Sequence, residues 1–149
     1  MSRASDRRGF ISLAVLTSVM LLASSGCATQ QPEGSEKWQE SQHTVLKSRV
    51  DARWDALIKG NFEKAYSFTT PDYRDVVSLQ QDKSKYGRVL VWREARVVNV
   101  SYDVPTVATV SVAVTYQIEL PGAGGAIETQ KVISEKWIYK NREWWYTAS

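Results

Sequence analysis

Within residues 107–120 apolar side chains alternate with polar or small ones from Thr109 onward, and this pattern constrains the fold more than any other feature. The apolar positions are Val110, Val112, Val114, Tyr116, Ile118 and Leu120, with small or polar residues between them. Successive side chains of a strand point to opposite faces. The alternation therefore predicts a half-buried antiparallel strand, with one face in a core and the other facing water.

Three further strands are predicted around this one. Residues 89–102 are rich in Val with Trp and Tyr, residues 127–139 form the next strand, and residues 144–147 form a short last one. Turns or loops rich in Pro, Gly, Asp or Asn separate them, at residues 103–106, 121–125 and 140–143. Such segments interrupt strands because their residues favour turn conformations.

The preceding half of the chain has helical spacing. A single apolar stripe is formed by Leu46, Val50, Trp54, Leu57 and Ile58. It predicts a helix from about Trp38 to Lys59, ended by Gly60. Capping residues then begin three short helical pieces, at Asn61, Thr70 and Ser78. Helices followed by strands predict an α+β fold, with N-terminal helices packed on an antiparallel sheet.

The N-terminus has the composition of an export signal. Three Arg residues precede an uncharged run at residues 10–23, which is shorter than the roughly 20 apolar residues of a transmembrane helix. Small residues then stand before Cys27, the only cysteine. This arrangement resembles a bacterial lipoprotein signal, in which the cysteine thiol receives a lipid and becomes the first mature residue.

The lipoprotein resemblance implies a division of the chain and a location. Residues 1–26 would be the signal peptide, residues 27–37 the lipid attachment and flexible tether, and residues 38–149 the folded domain. Ala28, in place of Asp, implies the outer membrane facing the periplasm. A plain secretory signal cut nearby and an uncleaved membrane anchor are the alternatives.

Composition excludes several classes of function. With 43% hydrophobic and 23% charged residues, the chain fits a folded domain. One Cys and one His exclude an internal disulfide framework and argue against a zinc site. Removal of residues 1–26 takes away three Arg and one Asp, so the net charge falls from +3 to +1. A near-neutral chain is not expected to bind nucleic acid. No metal or cofactor is predicted.

Three segments carry a second resemblance: residues 53–62, residues 65–73, and the pair formed by 135–137 and 144–146. They resemble the nuclear transport factor 2-like superfamily, and in particular small bacterial lipoproteins with such a domain, over about Trp38 to Tyr146. The resemblance implies a curved sheet wrapped around helices as a cone, with a pocket at its open end and often a homodimer through the outer sheet face. It implies no single function, because the superfamily includes isomerases, dehydratases, binding modules and assembly parts.

Glu135 is the most informative candidate site residue. It shares strand parity with Ile133 and Trp137, which places a carboxylate in an apolar row, and buried carboxylates are costly unless paired. Arg96 shares parity with Trp92 on the first long strand, which predicts the same face of the sheet, and it is a candidate partner. The full candidate pocket consists of Trp54, Tyr66, Tyr73, Trp92, Arg96, Glu135 and Trp137. The alternatives are core packing for the aromatic residues and a structural ion pair for Glu135.

The sequence favours a lipoprotein without enzymatic activity, held to the membrane through Cys27, which binds a small apolar ligand or an envelope protein. The first alternative is an isomerase-like or dehydratase-like enzyme, with Glu135 as general base and Tyr66 or Tyr73 as donors. The second is a structural or assembly component acting through an exposed Trp. Trp144 and Trp145 are adjacent on a predicted strand, so one should enter the core and the other should face outward.

Overall fold

The computed structural model describes residues 32–86, 90–119 and 125–148. The predicted signal peptide, Cys27 and the first tether residues lie outside the described residues, as do Leu120 and most of the predicted loop at 121–125. Within the described residues, no helix combines the length and apolar character needed to cross a membrane.

In the described part of the chain four helices precede the sheet, and each begins at a capping side chain. They are α1 (Glu36–Ile58), α2 (Phe62–Tyr66), α3 (Pro71–Val76) and α4 (Leu79–Ser84). Their caps, Ser35, Asn61, Thr70 and Ser78, each accept a hydrogen bond from a backbone N–H in the first turn. Ser78 and Gln81 also form a capping box, in which each side chain bonds to the other residue's backbone N–H, so local sequence determines where these helices start.

Four antiparallel strands form one sheet in the order β1-β2-β3-β4. They are β1 (Leu90–Val104), β2 (Val107–Glu119), β3 (Ala126–Lys140) and β4 (Glu143–Tyr146). The alternating strand is β2, and it pairs with β1 on one side and β3 on the other. Its buried residues Ala108, Val110, Val112 and Val114 carry one face of the sheet into the core.

Helix α1 covers that apolar face. Leu46, Val50, Trp54 and Leu57 from the predicted stripe are all buried, together with Trp137 of β3 and Trp144 of β4. The result is an α+β domain whose core lies between one long helix and a four-stranded sheet. The predicted nuclear transport factor 2-like cone is not this architecture. The segments behind that resemblance are aromatic core stretches, which fit any helix packed on a sheet.

β1 contains irregularities that change which side chains face the core. Its pairing with β2 shifts register between Trp92 and Glu94, and again between Val97 and Asn99. Each extra residue reverses the alternation beyond it. After the first shift Ala95 and Val97 face the core, and Arg96 is exposed. The expectation that Arg96 shares a face with Trp92 is therefore wrong.

Gly60 ends α1 with a φ of +69°, a conformation that costs L-residues about 1–2 kcal/mol. A Cβ built there meets nothing within 4 Å, so the cost of a substitution is confined to the backbone. We expect Gly60→Ala to lower the free energy of unfolding by about 1 kcal/mol, measured by urea denaturation. Gly125→Ala is the matched control, because its Cβ also meets nothing and its φ is not positive. Equal losses in both variants would contradict this account.

Candidate functional site

A cavity of about 250 Å³ lies between the C-terminal half of α1, the segment around α4 and the inner face of the sheet. Its walls are formed by Arg53, Trp54, Leu57, Asp82, Lys85, Tyr86, Trp92, Ile133, Glu135, Tyr146 and Ala148. For comparison, an apolar cavity of about 150 Å³ can take up benzene. The cavity is thus large enough for a molecule of one or two rings.

An ion pair between Arg53 and Glu135 forms one wall. Arg53 Nη1 lies 2.6 Å from Glu135 Oε1, and the two side chains are 3% and 2% exposed. The second carboxylate oxygen accepts a hydrogen bond of 3.0 Å from Trp137 Nε1. Arg53 Nη2 donates to the Tyr86 hydroxyl at 3.1 Å, and the guanidinium lies 3.7 Å from the ring centre of Tyr146. Both oxygens of Glu135 are therefore occupied within the protein.

The charges of this pair are coupled. Burial raises the pKa of Glu135, while Arg53 and the N–H groups of Trp137 and Trp54 act in the opposite direction. Burial lowers the pKa of Arg53, but Glu135, Tyr86 and Tyr146 together raise it by more, so the guanidinium stays charged. Burial also raises the pKa of Tyr86 to about 12, which keeps its hydroxyl protonated at neutral pH.

Three buried hydrogen-bond donors on the cavity residues have no partner among the described residues. They are Arg53 Nε, Trp54 Nε1 and Trp92 Nε1. The N–H group of Trp54 lowers the pKa of Glu135, but it makes no hydrogen bond of normal geometry to that carboxylate. The two indole rings meet edge to face, with centroids 5.3 Å apart. A buried donor without a partner costs about 1–3 kcal/mol, so such atoms mark a place where an acceptor would bind favourably.

Trp54, Trp92 and Glu135 are the sequence candidates that line this cavity. Trp137 is fully buried behind the wall and orients Glu135 through its indole N–H. Arg96 lies on the exposed side of the sheet, and the suggested pair of Arg96 with Glu135 is replaced by the pair of Arg53 with Glu135.

Two candidate tyrosines lie outside the cavity wall. The Tyr66 hydroxyl donates to the carbonyl of Val77 at 2.6 Å, which closes the turn after α3. The Tyr73 hydroxyl donates to Asp82 at 2.7 Å, and Asp82 in turn lines the cavity. Neither hydroxyl faces Glu135, so the catalytic arrangement of a carboxylate with Tyr66 or Tyr73 is not assembled.

Arg53 is the residue that sequence reasoning missed. The predicted stripe of apolar residues omits it, although it lies three residues after Val50 and seven after Leu46. Those spacings put it on the apolar stripe. An arginine on that stripe predicts a buried acidic partner, and Glu135 is the buried carboxylate that β3 brings to it.

Among the described residues, no cluster of three or more His, Cys, Asp or Glu side chains could hold a metal ion.

No family model matches the chain, and no curated protein matches its sequence. The solved structures include a similar fold in a SEC-C motif containing protein from Rhodopseudomonas palustris. Its solution structure superposes with a TM-score of 0.54 at 17% identity, and the match covers 67% of this chain and 73% of that chain. A likeness at this identity bears on the fold alone. It corrects the predicted nuclear transport factor 2-like cone to an α+β fold with a four-stranded antiparallel sheet, similar to this SEC-C motif protein.

Proposed function

We propose that this protein is a binding module without enzymatic activity, which holds a small and largely apolar ligand between α1 and the sheet. The observation that carries the proposal is the cavity itself. Trp54, Leu57, Trp92 and Ile133 supply much of its wall, and its two buried carboxylates already have partners: Glu135 pairs with Arg53, and Asp82 accepts a hydrogen bond from Tyr73. Concave sites with mostly apolar walls and a few polar groups are the usual form of small-molecule sites.

The enzymatic alternative is less well supported, because the Glu135 carboxylate is buried in an ion pair and each of its oxygens already accepts a hydrogen bond. Arg53 holds one carboxylate oxygen and Trp137 the other. A general base must reach the proton it abstracts within hydrogen-bond distance, and here both approaches are occupied. The carboxylate therefore contributes to structure and to the electrostatics of the cavity wall.

Binding can be tested with 2-ethylnaphthalene as an apolar probe, by titration calorimetry. We expect the wild type to bind it and Ile133→Trp to lose binding at least tenfold, because Ile133 borders the cavity and a larger side chain fills it. Val132→Trp is the matched control: Val132 is the neighbouring residue, is 57% exposed and does not line the cavity. Equal binding by both variants would overturn the proposed site.

The proposed setting of this module is the bacterial envelope, with the protein anchored through lipid on Cys27. The support is the sequence pattern around the only cysteine. Two or more acyl chains suffice for stable membrane attachment. We expect the intact mass of the membrane-extracted protein to correspond to a chain starting at a lipidated Cys27. Cys27→Ser, as control, should lack the mass of the lipid. An unmodified Cys27 or another mature start would contradict the anchor.

A further inference from the structure

We infer that the cavity selects an electrically neutral, ring-bearing molecule with carbonyl-type hydrogen-bond acceptors, an inference that rests on the proposed binding function. It narrows the ligand from any small apolar molecule to one chemical class. Four observations lead to it: the unpaired donors, the occupied acceptors, the balance of charge and the aromatic walls.

The unpaired polar atoms of the cavity residues are all donors. Arg53 is 2% exposed and Trp54 is 4% exposed, and each keeps one buried N–H without a partner. Trp92 contributes a third. Because a desolvated donor gains most from an acceptor, three such groups on residues that line one cavity favour an occupant that carries oxygen or nitrogen acceptors. A pure hydrocarbon would leave all three unsatisfied.

The acceptors in the wall, in contrast, are taken. Glu135 accepts from Arg53 at one oxygen and from Trp137 at the other. Asp82 accepts from the Tyr73 hydroxyl. Among the described residues, no buried side-chain oxygen lacks a partner. A ligand rich in donors would therefore find few groups to receive them.

Charge balance favours a neutral ligand over a carboxylate. The wall holds two cations, Arg53 and Lys85, and two anions, Asp82 and Glu135. Arg53 is committed to Glu135 at 2.6 Å, and the ammonium of Lys85 lies over the Tyr73 ring. An additional carboxylate would place unbalanced negative charge beside two buried anions, which is costly away from water. A carbonyl satisfies the donors without that cost.

The walls also favour a flat ring. Trp54 and Trp92 both line the cavity and meet at an interplanar angle of 80°, and the rings of Tyr86 and Tyr146 also line it. Aromatic groups prefer edge-to-face or offset contact with other rings. At about 250 Å³ the cavity lies just below the roughly 300–1,000 Å³ of sites for drug-sized molecules. One or two fused rings fit this volume.

Three naphthalene probes of similar shape separate these possibilities by titration calorimetry on the membrane-extracted protein. They are 2-acetonaphthone, which is a neutral acceptor, 2-ethylnaphthalene, which has no acceptor, and 2-naphthoate, which is an anionic acceptor. Heats measured with Ile133→Trp are subtracted, because that variant reports partition into detergent. We expect 2-acetonaphthone to bind about threefold to tenfold more tightly than either of the others, the effect of one additional hydrogen bond.

Trp92→Phe then tests the donor directly, because it keeps a ring and removes the N–H. We expect it to lower the ratio of the 2-acetonaphthone affinity to the 2-ethylnaphthalene affinity about threefold or more. Trp145→Phe is the control, since Trp145 does not line the cavity and its N–H donates to the carbonyl of Lys140.

Each outcome of the probe series supports or overturns a distinct claim. Equal affinity for the ketone and the hydrocarbon overturns the inferred ligand class but leaves the binding function intact. Tightest binding of 2-naphthoate overturns the neutrality of the ligand. Failure of all three probes to bind overturns the inference together with the proposed function.

Discussion

Replacing Arg53 by Met, with Glu135 left in place, is expected to lower the free energy of unfolding by about 3–5 kcal/mol. Glu135 is 3% exposed and would lose the guanidinium that lies 2.6 Å from its oxygen. A buried carboxylate without a cation must remain desolvated and uncompensated, or else take up a proton. Urea denaturation of both proteins at pH 7 measures the difference.

Two controls separate the ion pair from a general effect of substitution. The double variant Arg53→Met with Glu135→Leu should recover most of the loss, because replacing a buried pair by apolar residues is often close to neutral. Lys59→Met breaks an exposed ion pair with Asp55 and should cost less than about 1 kcal/mol. If Arg53→Met cost no more than Lys59→Met, the pair would have no structural importance.

Trp144→Ala is expected to be comparably severe, with a loss of about 3–5 kcal/mol in the free energy of unfolding. Trp144 is fully buried and packs against Trp38, Tyr102 and Tyr139, with ring centroids between 5.3 and 6.3 Å away. Its indole N–H donates to Gln42 at 3.2 Å. Truncation removes these contacts together and leaves a cavity between α1 and the end of the sheet.

The adjacent Trp145 is the matched control for this prediction. It is half-buried and lies between Arg49 and Arg74, whose guanidinium carbons are 5.5 and 5.2 Å from its ring centre. Contacts of this kind contribute about 0.5–1 kcal/mol at exposed sites, so Trp145→Ala should cost only about 1 kcal/mol. Thermal or urea unfolding compares the two variants. Similar losses of unfolding free energy in Trp144→Ala and Trp145→Ala would contradict the placement of one ring in the core and the other at the surface.

Local patterns predicted the helices and strands well, because their causes are local. The caps at Asn61, Thr70 and Ser78 satisfy first-turn N–H groups within three residues, and the alternation in β2 follows from the geometry of a single strand. Of the adjacent residues Trp144 and Trp145, one was predicted to enter the core, and Trp144 does so.

The cavity and its ion pair could not be predicted in the same way, because they depend on contacts between distant segments. Arg53 and Glu135 are 82 residues apart, and nothing near either one identifies the other. Regular alternation along β1 predicted Arg96 as the partner of Glu135. This was wrong because an inserted residue between Trp92 and Glu94 reverses the alternation and turns Arg96 to the other face. The aromatic segments that suggested a nuclear transport factor 2-like cone indicate only that these side chains are buried, and buried aromatic segments occur in many folds with helices packed on a sheet.

The register shifts in β1 affect how readily the edge of the sheet can pair with a strand of another chain. β1 is an outer strand of the sheet and runs for 15 residues, and a strand edge of that length is a template on which other chains can assemble. Bulges bend and twist such an edge, and the exposed charges of Arg93, Glu94 and Arg96 repel a flat partner. We therefore expect the irregularities that move Arg96 away from the cavity also to disfavour pairing of this edge with a strand of another chain.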